Sequence, residues 1–334
     1  MSGGIDSSVA AARLVRLGWA VAGVTMDLGV GDGRAIRRVR RLCRRLGIEH
    51  YTVNLAEYFR QQVIDYFCAE YGAGRTPNPC VRCNRVVKWG ALLEVTSRLS
   101  FDYLATGHYA RKGWAAGRWR LWRGRDPNKD QSYMLYSLSQ QQLARTIFPL
   151  GDSAKSQIRW QARRLGINPA AVAESQDICF IPGDYRDFIR DCVSFAPGPI
   201  RAEGGEEVGQ HEGLPFYTIG QRRGLGIGGK VVCVIGKDVA ENALIVGPRE
   251  MLARPECLLE QVNWVSVPPP RIGQPMLVEV ELRYRAKPIS ATLELTSGDT
   301  ARLVLAPHKQ AITPGQSAVL YQGDLLLGGG IIAE

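Results

Sequence analysis

Near the start of the chain, Ser2-Gly3-Gly4-Ile5-Asp6-Ser7-Ser8 runs without a break into the apolar, alanine-rich stretch Val9–Leu17. Few folds accommodate that order of residue types. Adjacent glycines let the backbone turn sharply and bring N–H groups close to a bound phosphate. The helix that follows points the positive end of its dipole back at the turn. The serine hydroxyls add donors, and the Asp6 carboxylate suits a magnesium ion carried by a nucleotide. The loop is not of the G-x-x-x-x-G-K-[ST] type, because no lysine follows. The first 110 residues then alternate. Ala20–Met26, His50–Asn54 and Tyr103–Thr106 read as strands; Ala35–Leu46, Leu55–Tyr71 and Val86–Leu99 read as helices. Such alternation predicts an α/β fold with a doubly wound parallel sheet covered on both faces.

The remainder is organised differently. Residues 130 to 175 read as a helical extension. Composition shifts at Phe195-Ala196-Pro197-Gly198-Pro199, and glycine is dense through Gly236. Short β-branched runs follow, Leu277–Tyr284, Ser290–Leu295, Thr300–Leu305 and Ser317–Tyr321, spaced as in a small antiparallel barrel. The expected domains are therefore 1–190 (nucleotide-binding), 191–252 (a small β-rich, Gly-rich unit) and 253–334 (β-barrel).

Of 334 residues, 42 are Lys or Arg and 32 Asp or Glu, a net charge of +10. That balance favours a polyanionic partner, since each phosphate neutralised releases counterions. Arginine supplies 34 of the 42, and seven lie between Arg34 and Arg45. The stripe Ile36, Val39, Leu42, Cys43 and Leu46 makes that stretch an amphipathic surface helix with a solvated basic face. No apolar run is long enough to span a membrane, and the first residues lack the pattern of a signal peptide. A cytoplasmic location with no membrane partner is the expectation.

In such a compartment the eight cysteines are not a disulfide framework, and most read as small buried hydrophobes. Cys80 and Cys83 differ. They form a C-x-x-C inside Thr76-Pro77-Asn78-Pro79-Cys80-Val81-Arg82-Cys83-Asn84, where two prolines predict a rigid loop that presents them. One C-x-x-C and four histidines do not complete a tetrahedral zinc set.

The opening heptad resembles the PP-loop, S-G-G-x-D-S, which binds the pyrophosphate of ATP. Further motifs follow in order: Thr76–Asn84 with Val87-Lys88, Ala105-Thr106-Gly107-His108-Tyr109-Ala110-Arg111, Asn128-Lys129-Asp130-Gln131-Ser132-Tyr133, Phe148-Pro149-Leu150-Gly151, Ser175–Ile181, Thr218–Gly226, Arg283-Tyr284 and Leu320–Gly323. Across essentially the whole chain the set resembles the tRNA-specific 2-thiouridylases of the PP-loop ATP pyrophosphatase superfamily. The resemblance implies an enzyme that adenylates the C2 oxygen of a wobble uridine with ATP and Mg2+, releases pyrophosphate, and displaces AMP with a cysteine-borne sulfur. It implies tRNA and a sulfur donor or relay protein as partners. By motif position it implies Cys83 and Cys179 as the catalytic pair, joined by a disulfide after turnover. It implies Ser2, Gly3, Gly4, Asp6, Ser7, Ser8, Met26 and Gly107 for ATP. Asn78, Pro79 and Cys80 fall to the target base, and His108, Lys129, Asp130, Gln131, Arg283, Tyr284 and Gln322 to tRNA. On chemical grounds Asp130 orients Lys129 rather than facing RNA. Without the resemblance, Cys179 between Ile178 and Phe180 would read as a buried core thiol.

Two departures stand out. Relatives carry an apolar strand before the loop, which this sequence lacks; a misassigned start is the expectation. Many relatives also have Asp where this chain has Cys80. Three cysteines, Cys80, Cys83 and Cys179, are the set a 4Fe–4S cluster would use, leaving one iron open for sulfide. A persulfide relay and a cluster both remain open on the sequence. So does a truncated, non-catalytic tRNA-binding relative; an amidotransferase-type synthetase would need a glutaminase domain that is not visible.

Overall fold

The computed structural model describes residues 1–31, 33–167, 178–181, 183–228, 232–306 and 311–333. Helix α1 (Ile5–Arg16) begins at Gly4, and Gly3 enters it with φ +74°, a conformation that glycine adopts without strain. Strand β1 (Gly23–Asp27), helix α2 (Arg34–Leu46) and strand β2 (His50–Asn54) follow. β1 and β2 pair in parallel, from Gly23 opposite His50 to Asp27 opposite Asn54. Helix α2 buries Val39, Leu42 and Cys43 and leaves its seven arginines exposed, as the apolar stripe predicts.

Two long helical rods come next, and each changes register midway. The first is α3 (Ala56–Phe59), a π-helical stretch Arg60–Asp65, and α4 (Tyr66–Gly72). The second is α5 (Pro79–Cys83), a π-helical stretch Asn84–Leu92, and α6 (Leu93–Arg98). The rigid loop expected over Thr76–Asn84 is thus a helix start from Pro79 on. Asn78 caps it by accepting from the Val81 amide at 3.3 Å, and Pro79 occupies the first turn, where no N–H is required.

Strand β3 (Leu104–Ala105) precedes a hairpin of β4 (Ala110–Ala115) and β5 (Arg118–Arg123). Helix α7 (Gln140–Ala144), strand β6 (Thr146–Ile147) and helix α8 (Lys155–Arg164) follow, so the expected helical extension is interrupted by a strand that pairs in parallel with β3. Among the described residues no strand joins the β1–β2 pair to the β3–β6 pair. The gap between them opens into a cavity of about 1260 Å³, whose lining includes the apolar side chains Ala10, Leu14, Val24, Leu92 and Leu104. Met1 lies at its edge, its amino group donating to the Val24 carbonyl.

Helix α9 (Tyr185–Cys192) leads into a four-stranded sheet of β7 (Gly198–Ala202), β8 (Glu207–His211), β9 (Cys233–Asp238) and β10 (Ala243–Gly247), ordered β8-β7-β10-β9. Its inner face shares one core with the first helical rod, through Phe59, Phe67, Phe180, Ile200 and Leu244. Cys68 on α4 and Cys192 at the end of α9 form a disulfide. The reading of these two as unpaired buried thiols is corrected: Cys68 and Cys192 lie on helices that pack together, which no local pattern encodes. Cys43, Cys233 and Cys257 are buried thiols.

The last unit is β11 (Glu256–Trp264), β12 (Pro275–Glu281), β13 (Ile289–Leu295), β14 (Ala301–Leu305), β15 (Ser317–Gln322) and β16 (Leu325–Ile332). They pair antiparallel in the order β11-β14-β13-β12-β15-β16, and β11 also pairs with β16, so six strands close into a barrel. Alternating burial along β13 and β14 is the period-2 pattern of a strand with one face in a core. The β4–β5 hairpin of the first domain adds itself to β16, with Leu325 opposite Trp122 and Leu326 opposite Leu121. That graft fixes the barrel against the loop 124–132.

Candidate active site

The Gly-rich turn is held in shape by its own serines. The Ser2 hydroxyl accepts from the Gly4 amide at 3.3 Å and meets the Ser7 hydroxyl at 3.3 Å. Ser7 and Ser8 both donate to the Gly4 carbonyl, at 3.2 and 2.8 Å. Gly107, at the end of β3, comes so close to this turn that a Cβ there would lie 2.9 Å from the Ser7 amide nitrogen. Only glycine lets strand and helix start meet. Ser2, Asp6, Ser7, Met26 and Gly107 line the cavity together. Gly3, Gly4 and Ser8 shape the turn.

Asp6 is held by two neighbours. Its carboxylate accepts from Lys155 Nζ at 2.7 and 2.8 Å and from the Tyr109 hydroxyl at 2.7 Å. Lys155 is almost fully buried, so the pair has a strong mutual claim. The carboxylate ties the start of α1 to α8 and β4. Both carboxylate oxygens meet the Lys155 ammonium in this structure. Lys155 and Tyr109 give no local sequence signal, because each reaches Asp6 only through the fold.

The cysteines lie beyond the cavity's other wall. Cys83 ends α5, half-buried, and Cys80 one turn earlier is exposed. Cys179 is exposed as well. It tops a turn closed by the Ile181 amide donating to the Ile178 carbonyl at 3.0 Å, with Phe180 anchored edge-on against Phe59 and Phe67. Its apolar neighbours therefore pin the loop and present the thiol, contrary to a buried-core reading. Residues 175 to 177 of the same motif lie outside the described residues. Protein packed around the sites raises all three thiol pKa values although two remain open to solvent, and Cys83 is pushed up to about 11. In each case the next influence is Lys88, which lowers it. Lys88 also lines the nucleotide cavity. Sequence reasoning gave it no role.

Among the described residues no group of three or more His, Cys, Asp or Glu side chains is arranged to hold a metal ion. Cys80, Cys83 and Cys179 are thus not gathered as a ligand set in this structure.

The expected RNA contacts fall into two sets. Arg283 and Gln322 are exposed on the barrel, at the ends of β12 and β15. The others are at least partly built into the protein. His108 packs against Trp89 and Phe148 and pairs with the Thr106 hydroxyl through Nδ1 at 3.0 Å; burial and the Lys88 charge hold it neutral. Gln131 accepts from the Tyr109 amide at 3.1 Å. Tyr284 donates to the Asp130 carbonyl at 3.2 Å. The Asp130 carboxylate accepts from the Gly124 and Ser132 amides at 2.8 and 3.0 Å, and it pairs with Arg123 at 3.3 Å. Arg123 in turn meets Glu281 at 2.7 Å and stacks on Tyr321. The Asp130 carboxylate thus holds Arg123 and Ser132, bracing the loop that Lys129 occupies against the barrel.

These features define a class: an α/β domain with a phosphate-binding loop of the PP type, backed by two β-domains. Residues 1–183 match the tRNA methyl transferase HUP domain, 186–248 the tRNA methyl transferase PRC-barrel domain, and 254–332 the aminomethyltransferase beta-barrel domain. The chain is 44% identical to the tRNA-specific 2-thiouridylase MnmA of Heliobacterium modesticaldum, over 100% of this chain and 91% of that protein. It is 46% identical to that of Moorella thermoacetica, over 99% and 98%, and 46% to that of Chloroflexus aurantiacus, over 100% and 97%. The chain belongs to the tRNA-specific 2-thiouridylase MnmA family.

Proposed function

We propose that this protein is a tRNA-uridine 2-sulfurtransferase that activates the C2 oxygen of uridine with ATP and replaces it with sulfur. One observation supports the reading: Lys88, on the second helical rod, lines the phosphate-loop cavity, and its charge acts on the thiols of both Cys83 and Cys179. The turn at Gly3–Gly4 and the start of α1 take the phosphates. Met26 backs the adenine, and Gly107 admits the nucleotide close to the loop. Magnesium travels with ATP and offsets phosphate charge. Asn78, Pro79 and Cys80 sit against the target base, and Arg283, Lys129 and Gln322 hold the RNA.

The chemistry then runs between the thiols. A persulfide on Cys179, loaded by a sulfur donor, attacks C2 through its terminal sulfur, and AMP leaves with the oxygen. The Cys83 thiolate attacks Sγ of Cys179, the S–S bond breaks, and its electron pair stays on the sulfur bound to C2. The products are 2-thiouridine and a Cys83–Cys179 disulfide, which an external dithiol reduces. The non-catalytic alternative is disfavoured, because all three domains are matched.

The test is an unmodified tRNA transcript incubated with ATP and a persulfide donor. Pyrophosphate release together with 2-thiouridine by mass spectrometry is the expected result. Pyrophosphate without thiolation by the intact protein, at any donor concentration, would overturn the sulfur-transfer half; tRNA binding with neither product would favour the non-catalytic reading.

A further inference from the structure

Lys88 lies five residues beyond Cys83. On an α-helix of 3.6 residues per turn, two such positions point about 140° apart. Here the stretch Asn84–Leu92 is π-helical, and Cys83 is the residue from which it starts. An i→i+5 ladder brings the fifth residue round over the first. Lys88 is therefore turned back over Cys83. Its ammonium donates to Asn84 Oδ1 at 2.8 Å, and Asn84, buried, donates through its own amide to the Met134 carbonyl at 2.8 Å. The head group is thus held at a fixed place, on the wall of the nucleotide cavity that also holds Asp6, Ser7, Gly107 and His108.

Resting on the sulfur-transfer reading above, we propose that Lys88 is a positioning residue for that step: held by Asn84 and aimed by the π-helical register, its ammonium stabilises sulfur anions as sulfur passes from Cys179 to the base and Cys83 attacks. Three sulfur anions occur in that sequence: the terminal sulfur of the Cys179 persulfide, the Cys83 thiolate, and the sulfur released on C2. Each is costly in a crowded site and each is stabilised by a fixed cation. The charge acts on Cys80, Cys83 and Cys179, and burial together with that charge keeps His108 uncharged, so no second cation competes from that side. No proton need leave Lys88, and no bond to it forms.

The proposal separates the two halves of the reaction. In Lys88→Met, 2-thiouridine formation in a single turnover is expected to fall about 100-fold, while pyrophosphate release from ATP and tRNA holds. Alkylation of Cys83 by iodoacetamide at pH 8, read by peptide mass spectrometry in the protein alone, is expected to slow about tenfold, as for a thiol that loses a neighbouring cation. Lys88→Arg should restore most of both. If Lys88→Met melts early, Lys88→Gln keeps a donor for Asn84 and is expected to show the same split. Unchanged alkylation and thiolation in a folded variant would overturn the proposal, as would pyrophosphate release falling in step with thiolation, which would place Lys88 on the nucleotide instead. The alkylation arm needs neither ATP nor tRNA. If the wild type does not thiolate but alkylation still responds to Lys88, it is the thiolation reading that fails; if alkylation does not respond, Lys88 has no hold on the thiol.

Discussion

The two ends of this molecule treat exposed strand edges in opposite ways. In the barrel β11 pairs with β16, the ring closes, and Val280, Leu293, Leu303 and Leu320 fill its interior without solvent exposure. In the nucleotide-binding domain β1 and β3 each face a cavity of about 1260 Å³ instead of each other. The barrel strands pair with one another around the ring, β16 also takes β5 at one end, and the interior is filled by side chains. The open half lines that cavity with Asp6, Ser7, Lys88 and Gly107. Chemistry here is concentrated where the fold is least self-sufficient, and rigidity comes from the part that touches no reacting atom.

Substitutions on each side can break that contrast. The largest effect belongs to the open half. Cys179→Ser is expected to lower 2-thiouridine formation at least about 1000-fold, with tRNA binding and melting temperature unchanged, because the exposed thiol packs against little. Thiolation near the wild-type rate would remove Cys179 from the reaction. In the closed half, Leu293→Ala should cost about 2–5 kcal/mol in urea unfolding and leave turnover per folded molecule intact. A matching fall in turnover would mean that the barrel core is coupled to the chemistry.

Asp6→Ala lies between these two. Turnover should fall about 100-fold through loss of the ordered loop. Melting should also drop, since Lys155 loses its partner while buried. Normal turnover at saturating ATP would show that the Asp6 link to Lys155 and Tyr109 is dispensable. The smallest effect is expected for Arg283→Ala on the barrel rim: one phosphate contact fewer, seen as a salt-dependence slope of tRNA binding shallower by about one. An unaltered slope would take the barrel out of the RNA interface.

The open half was legible in outline. The alternation of helices and strands in the first 110 residues predicts a parallel sheet, and β1 and β2 pair in parallel. The barrel strands from β12 to β15 were legible from their alternation, whereas β11 and β16 were not. Within β16 the run Gly328-Gly329-Gly330 carries no β signal, and it pairs because a side chain there would strike neighbouring backbone, 2.1 Å from the Asn263 carbonyl oxygen in the case of Gly328. The disulfide between Cys68 and Cys192, 124 residues apart, left no trace in local pattern.

By itself the sequence determined what depends on residues within a turn or two of one another. The glycine φ at Gly3, the proline start and Asn cap of α5, the apolar stripe of α2 and the alternation of β13 are all of this kind. Backbone sterics, capping and side-chain period act over that range, so the residue string alone carries them. Tertiary structure decided what depends on groups far apart in the chain. It grafted the β4–β5 hairpin onto β16, paired Asp6 with Lys155, and packed the second rod where Lys88 lines the cavity and its charge acts on Cys83 and Cys179. Burial and Coulomb forces depend on distance in space, and only packing sets that distance.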